Sequence, residues 1–171
     1  MTIIHSKNGT IIEIEPYNES FAESIANSLF EGLSVEVIIQ QRKDLLTPGQ
    51  EEVYSVCAIS ESNVVGVCTG VRKKWFGERH RIEMVQVVVH EKFRGLGLAR
   101  EMMREIASHF KELGVEIIEI SVESENEMAL QAYIRIGFKQ YGLLKDGLRY
   151  EDRYSDEILL AMELSRFVKA D

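Results

Sequence analysis

The amino-acid sequence predicts an α/β fold: a mixed, mostly antiparallel sheet of six to seven strands with helices on both faces. Three observations carry this expectation. From residue 83 to 122, a β-branched run ending in Val87-Val88-Val89 feeds a turn containing Gly95 and Gly97. An amphipathic helix then opens at Leu98, and a Val/Ile-rich segment follows at 115–122. A helix of crossover length between two strands makes them parallel neighbours in a right-handed unit. Upstream, three strand candidates joined by short polar connections form an antiparallel meander. The full order, β, α, α, β, β, β, α, β, α, β, β, requires a mixed sheet covered by helices on both sides.

Each element has a local reason. Residues 10–15 alternate Ile12 and Ile14 with Glu13 and Glu15, and Pro16 closes the strand. Phe21, Ile25, Ala26, Leu29 and Phe30 recur at helical spacing, and Gly32 ends that run. Residues 35–46 mix β-branched Val35, Val37, Ile38 and Ile39 with Gln40-Gln41-Arg42-Lys43. Leu45-Leu46 at i+7 and i+8 from Ile38 favour a helix, which Thr47-Pro48-Gly49 terminates. Strands at 53–59 and 64–73 flank the turn Ser60-Glu61-Ser62-Asn63. Trp75 and Phe76 stand in the next connection, as a cluster over the sheet end or as a pocket wall.

The helix from Leu98 lines up Leu98, Ala99, Met102, Met103, Ile106, Ala107, Phe110 and Leu113 on one face and stops at Gly114. Asn126 is an N-cap candidate for a further helix ending at Gly137. Residues 138–144 and 158–164 read as the last two strands, with the charged segment 145–157 as a long hairpin loop.

The 171 residues, 45% of them hydrophobic, suit one domain over 1–171, which at this size buries roughly 70% of its unfolded surface. No apolar run approaches the roughly 20 residues of a membrane span, and no signal-peptide pattern opens the chain, so a cytoplasmic protein off the membrane is expected. Cys57 and Cys68 lie in neighbouring strand candidates where they could face each other, and they are expected as free thiols. A net charge of −8 argues against nucleic-acid binding. His5, His80, His90 and His109 have no metal-ligand spacing, so no metal is expected.

A strand running through a glycine turn into a helix presents unpaired N–H groups at the positive end of the helix dipole, which suits a phosphate. A dinucleotide site would need a third glycine where Arg100 stands, and a P-loop would need Gly-Lys-Ser/Thr. Two motifs are more specific. One is Lys92-Phe93-Arg94-Gly95-Leu96-Gly97 after its hydrophobic strand; the other combines Asn126, Ala129, Tyr133, Gly137 and Phe138. Together with the element order, they resemble the GNAT superfamily of acyl-CoA-dependent N-acetyltransferases over residues 11–164. Lys92 departs from the family's Gln or Arg, at a turn whose phosphate contacts come mainly from backbone amides.

The resemblance implies a splayed central parallel strand pair, acetyl-CoA as cosubstrate and direct attack by a primary amine of a small molecule or peptide. It implies that the amides of Arg94, Gly95, Leu96, Gly97, Leu98 and Ala99 bind the CoA pyrophosphate. The strand backbone at Val87, Val88 and Val89 would pair with pantetheine and polarise the thioester. Asn126 would contact CoA or simply cap its helix. Tyr133 would protonate the departing thiolate, although at that spacing it could also be core. Glu83 matches a glutamate that some members use as general base; Glu119 and His80 are alternatives.

The acceptor is left open. The acidic segment 146–157 could attract a cationic amine or be a solvated hairpin, and Ser121 stands where acetylases of ribosomal-protein N-termini often carry glutamate. The resemblance also allows a homodimer through the C-terminal strands. The alternative from another class is a catalytically silent acyl-CoA-binding sensor or partner-binding domain.

Overall fold

A computed structural model describes residues 2–5, 9–30, 32–45 and 52–168. The elements are β1 (Thr2–His5), β2 (Ile11–Pro16), α1 (Ala22–Leu29), α2 (Val35–Leu45), β3 (Val53–Ser60), β4 (Asn63–Arg72) and β5 (Arg81–Val89). They continue with α3 (Leu98–Lys111), β6 (Ile117–Glu123), α4 (Glu127–Ile136), β7 (Lys139–Tyr150) and β8 (Arg153–Glu163). The strands form one sheet in the order β1-β2-β3-β4-β5-β6-β8-β7. Every neighbouring pair is antiparallel except β5 and β6.

The apolar stripe of α3 explains how it seats. Leu98, Met102, Met103, Ile106, Ala107 and Phe110 are all buried against one sheet face, together with Ile82 and Met84 of β5 and Tyr133 of α4. Close approach is possible because β4 offers two glycines beneath the helix. A methyl group on Gly70 would stand 2.5 Å from Ile106 Cγ2, and one on Gly66 would stand 3.0 Å from Met102 Cε. The opposite face is covered by α1 and α2, where Ala22, Ile25, Ala26 and Ile38 bury against Cys57, Val64 and Val67. This second cover draws on β3 and β4, while β5, β6 and β8 place Glu83, Glu119, Ser121 and Ala161 on that face.

The structure departs from the sequence expectation in three places. The sheet has eight strands, because Thr2–His5 pairs with β2 as a short edge. The segment 145–157 is mostly strand, not a long loop: β7 and β8 run on as a ribbon to a turn at Glu151 and Asp152. Cross-strand pairs hold that ribbon, with Tyr150 opposite Arg153 and Arg149 opposite Tyr154, each guanidinium stacked on its partner's ring.

Cys57 and Cys68, finally, do not face each other. They point to opposite sides of the sheet into different apolar clusters, since their register offsets them by one residue. Both are free and buried. Leu46 and the Thr47-Pro48-Gly49 terminator lie outside the described residues.

Candidate active site

The site begins where the parallel ladder stops. β5 and β6 pair from Arg81–Ile117 through Met84–Ile120 and no further, although β5 continues to Val89 and β6 to Glu123. The cause is local: Gln86 adopts φ +52, and the β4–β5 register slips between Val67 and Thr69. A bulge at this point bends β5 away from β6. Beyond it Val88 and Val89 still pair with Val67 and Gly66 of β4, so their other backbone edge faces the gap. Val87 and Val89 pack toward the α3 side and Val88 toward the α1 side.

At the far end of β5, Arg94, Gly95, Leu96 and Gly97 form an exposed turn into α3, with Leu98 buried and Ala99 half-buried. Gly95 and Gly97 have φ of +78 and +82, a region in which side chains are strained. Added Cβ atoms would meet nothing within 4 Å, so the space over both residues is open. Gly97 caps α3 without a side-chain hydrogen bond, which leaves first-turn N–H groups facing that space. Arg94 Nε donates to Val89 O at 3.1 Å and ties the turn to the strand. An open, glycine-lined cradle of N–H donors fits the pyrophosphate of CoA.

Tyr133 lies in α4, after β6, and is 8% exposed. Burial, and next the Cys68 thiol on β4, push its hydroxyl up to about 12. Tyr133 and Cys68 belong to the same buried cluster, which also holds the apolar face of α3. Asn126 is exposed, and its Oδ1 accepts from Ala129 N at 3.1 Å, so it caps α4.

On the opposite face, Glu83 and Glu119 are register partners. Lys73 Nζ donates to Glu83 Oε2 at 2.6 Å and stands 3.5 Å from Glu119 Oε2, while Arg81 Nη1 is 3.3 Å from Glu119 Oε1. Partial burial opposes the charge on Lys73, but its hydrogen bonds with Glu83 and the two carboxylates leave its ammonium above its ordinary value. Trp75 and Phe76, two and three residues on, pack on each other at 4.8 Å and are 62% and 80% exposed. They project rather than cover the sheet end. His80 accepts from Glu116 and Ile117 through its carbonyl, and His109 stacks on Tyr54 away from the gap.

Sequence reasoning missed Lys73, Arg81 and Arg42. Arg42, on α2, is 7% exposed. Its Nη1 donates to Ser55 Oγ at 2.9 Å and to Thr69 Oγ1 at 2.5 Å, and its guanidinium lies 4.7 Å from the Tyr17 ring centroid. In sequence, a charged residue in Gln-Gln-Arg-Lys looks like a solvated helix face. Only its place at i+4 from buried Ile38 gives a signal of burial. Among the described residues no group of His, Cys, Asp or Glu could hold a metal ion, and no helix is long and apolar enough to cross a membrane.

Comparison with known proteins agrees with this geometry. Residues 19–138 match the model of the acetyltransferase (GNAT) family. An uncharacterised N-acetyltransferase of Methanocaldococcus jannaschii is 30% identical over 106 residues, 60% of this chain. The match spans about half, 46%, of that relative's own length. A crystal structure of a probable acetyltransferase from Staphylococcus epidermidis shares 21% identity over 89% of this chain and 98% of its own, with a TM-score of 0.72. A putative acetyltransferase from Salmonella typhimurium, solved with its cofactor acetyl-CoA, shares 15% identity over 94% of this chain and 98% of its own, with a TM-score of 0.70.

Proposed function

The chain belongs to the acetyltransferase (GNAT) family, and we propose that it moves an acetyl group from acetyl-CoA to a primary amine of a small molecule or peptide by direct attack. The observation that carries this reading is the parting of β5 and β6 beyond Met84–Ile120, with the open glycine turn following β5 and Tyr133 buried in the cluster that holds α3. Bound there, acetyl-CoA supplies a thioester whose carbonyl is open to an amine.

The chain's own groups divide between the two sheet faces. On the α3 side, the amides from Arg94 to Ala99 hold the pyrophosphate, and the free edge of Val87, Val88 and Val89 orients the pantetheine arm. Tyr133 donates its proton to the departing sulfur. A phenol pushed up to about 12 stays protonated at neutral pH, as a donor must. On the other face, Glu83 takes the amine proton. Its partner Lys73 gives way as the amine arrives, because a resident cation and an incoming ammonium compete for the same oxygen. Asn126 caps α4 through Oδ1, leaving its Nδ2 to contact CoA.

The test is an acetylation assay in which acetyl-CoA and a panel of amines are followed by release of free thiol. Amine-dependent release supports the reading. Tight acetyl-CoA binding by calorimetry without turnover on any amine would replace it with a silent binding domain.

A further inference from the structure

The acceptor face contains a cation that the fold does not neutralise. Arg42 is more than nine-tenths buried, yet among the described residues both side-chain hydrogen bonds of Arg42 come from Nη1 and go to neutral hydroxyls, those of Ser55 and Thr69. No carboxylate pairs with it among the described residues. The other groups felt by its charge are Cys57, Tyr17 and Cys68. Burial pushes both thiols up to about 12 and raises the Tyr17 phenol, so all three are neutral at pH 7. Burying an unpaired charge costs stability, and where a charge serves only to fasten a helix, an apolar side chain does so at least as well. Ser55 and Thr69, themselves 2.8 Å apart, orient the guanidinium without discharging it. That arrangement suits an arginine whose anion arrives with a substrate.

Its position says which substrate. Thr69 pairs with Val85, the residue that follows the last β5–β6 pair, Met84–Ile120. Val85 lies two residues beyond Glu83, on the same sheet face and about 7 Å along the strand. Arg42 therefore approaches the parted strands from the face that holds Glu83. Tyr17, whose ring lies against the guanidinium, has a buried hydroxyl with no partner, and Gln86 Oε1 at the bulge is likewise buried without one.

The face as a whole does not suit a polycation. Lys73, Arg81 and Arg42 supply three positive groups against three from Glu78, Glu83 and Glu119.

We propose that Arg42 binds a carboxylate of the acceptor, and that the acceptor is accordingly an amino acid: an amine presented to Glu83 with its acid group held by the guanidinium. This rests on the acetyl-transfer reading given above and narrows its substrate class. The guanidinium's fork offers two parallel donors to a carboxylate, and the Tyr17 hydroxyl offers a third.

The experiment compares each of a set of amino acids with its decarboxylated amine, for example L-phenylalanine with phenethylamine, L-methionine with 3-(methylthio)propylamine and L-lysine with cadaverine. Thiol release from acetyl-CoA is measured for wild type and Arg42→Met. In parallel, calorimetry in the presence of CoA measures binding of the same compounds. Methionine matches the arginine stem in shape, and melting temperature verifies that the variant is folded.

For wild type the expected result is a preference of about 10- to 100-fold in kcat/KM for the carboxylated member of at least one pair, the range of one charge-assisted contact. In Arg42→Met that preference collapses toward parity. Acetylation of the amines with no preference for their acids overturns the inference and leaves acetyl transfer standing. Arg42-dependent binding of amino acids without turnover supports the anion site and counts against acetyl transfer. Neither binding nor turnover of any amino acid, in a folded wild type, overturns the inference.

Discussion

Lys73 donates to Glu83 Oε2 across 2.6 Å, and because Glu83 is the register partner of Glu119, the same ammonium also stands 3.5 Å from the second carboxylate. The two acids are not equivalent. Glu119 is 9% exposed and held from both sides by Lys73 and Arg81, whereas Glu83 is more open and has Lys73 alone. On the proposed reading, Glu83 is the acid that exchanges its partner for an amine. Glu83→Gln is expected to lower kcat/KM for the acceptor about 100-fold, within the range of a lost general base. Glu119→Gln is expected to cost less than about tenfold, because its carboxylate is already engaged. Steady-state thiol release on the best acceptor measures both, and equal losses would give the base role to the pair.

Tyr133 makes two predictions that share one cause. With Tyr133 proposed as the proton donor, Tyr133→Phe should lower kcat about 100-fold and leave the KM for acetyl-CoA unchanged. Normal turnover would return Tyr133 to the core of the fold.

The same burial affects stability. Tyr133 ionises near 10 when unfolded and at about 12 when folded, and the buried Cys57 and Cys68 thiols move from near 9 to about 12. Above pH 9 the unfolded chain therefore releases protons that the folded chain keeps, so stability falls as pH rises. Urea midpoints followed by circular dichroism should be level in this respect from pH 7 to 8.5 and fall between pH 9 and 12. The slope should be shallower in Tyr133→Phe. Thiol reagents should label neither cysteine until the chain unfolds.

Two glycines with opposite structural roles separate fold from site. Gly97 holds φ +82 with open space over it, while Gly70 lies under α3 where a methyl would press on Ile106. Gly97→Ala should cost about 1 to 2 kcal/mol of backbone strain and weaken acetyl-CoA binding at least about tenfold by filling the cradle. Gly70→Ala should cost about 1 to 3 kcal/mol through overpacking. Acetyl-CoA affinity, measured by calorimetry on the folded fraction, should barely change.

Much of this arrangement is legible in the chain. The helical stripe from Leu98 to Phe110 announces α3 because every third or fourth side chain must be buried, and Gly95 and Gly97 mark the turn because its backbone excludes other residues. What escapes sequence reading depends on contacts between distant segments. Thr2–His5 is too short to show a period and is a strand only because β2 lies beside it. The ribbon at 145–157 looks like a charged loop until Arg153 and Tyr150 are seen to pair. Gln86 is an ordinary strand residue in sequence, yet its positive φ is where β5 turns from β6. Charges mislead most. Lys73, Arg81 and Arg42 read as solvated groups, and only the fold brings them to the sheet face that holds Glu83.

Asn126 has two roles that substitution can separate. Its Oδ1 accepts from Ala129 N at 3.1 Å and caps α4, while the reading above gives its Nδ2 a contact with CoA. Aspartate caps a helix about as well as asparagine but has no N–H to donate. Asn126→Ala should therefore lose about 1 kcal/mol of stability and also lose acetyl-CoA affinity. Asn126→Asp should keep the stability and lose about tenfold in affinity, since a carboxylate near an anionic cofactor repels it as well as failing to donate. Chemical denaturation and calorimetry on the two variants give the four numbers needed. An aspartate variant with wild-type affinity would reduce Asn126 to a helix cap, and the motif asparagine would then be explained by the positioning of Tyr133, two turns further along the same helix.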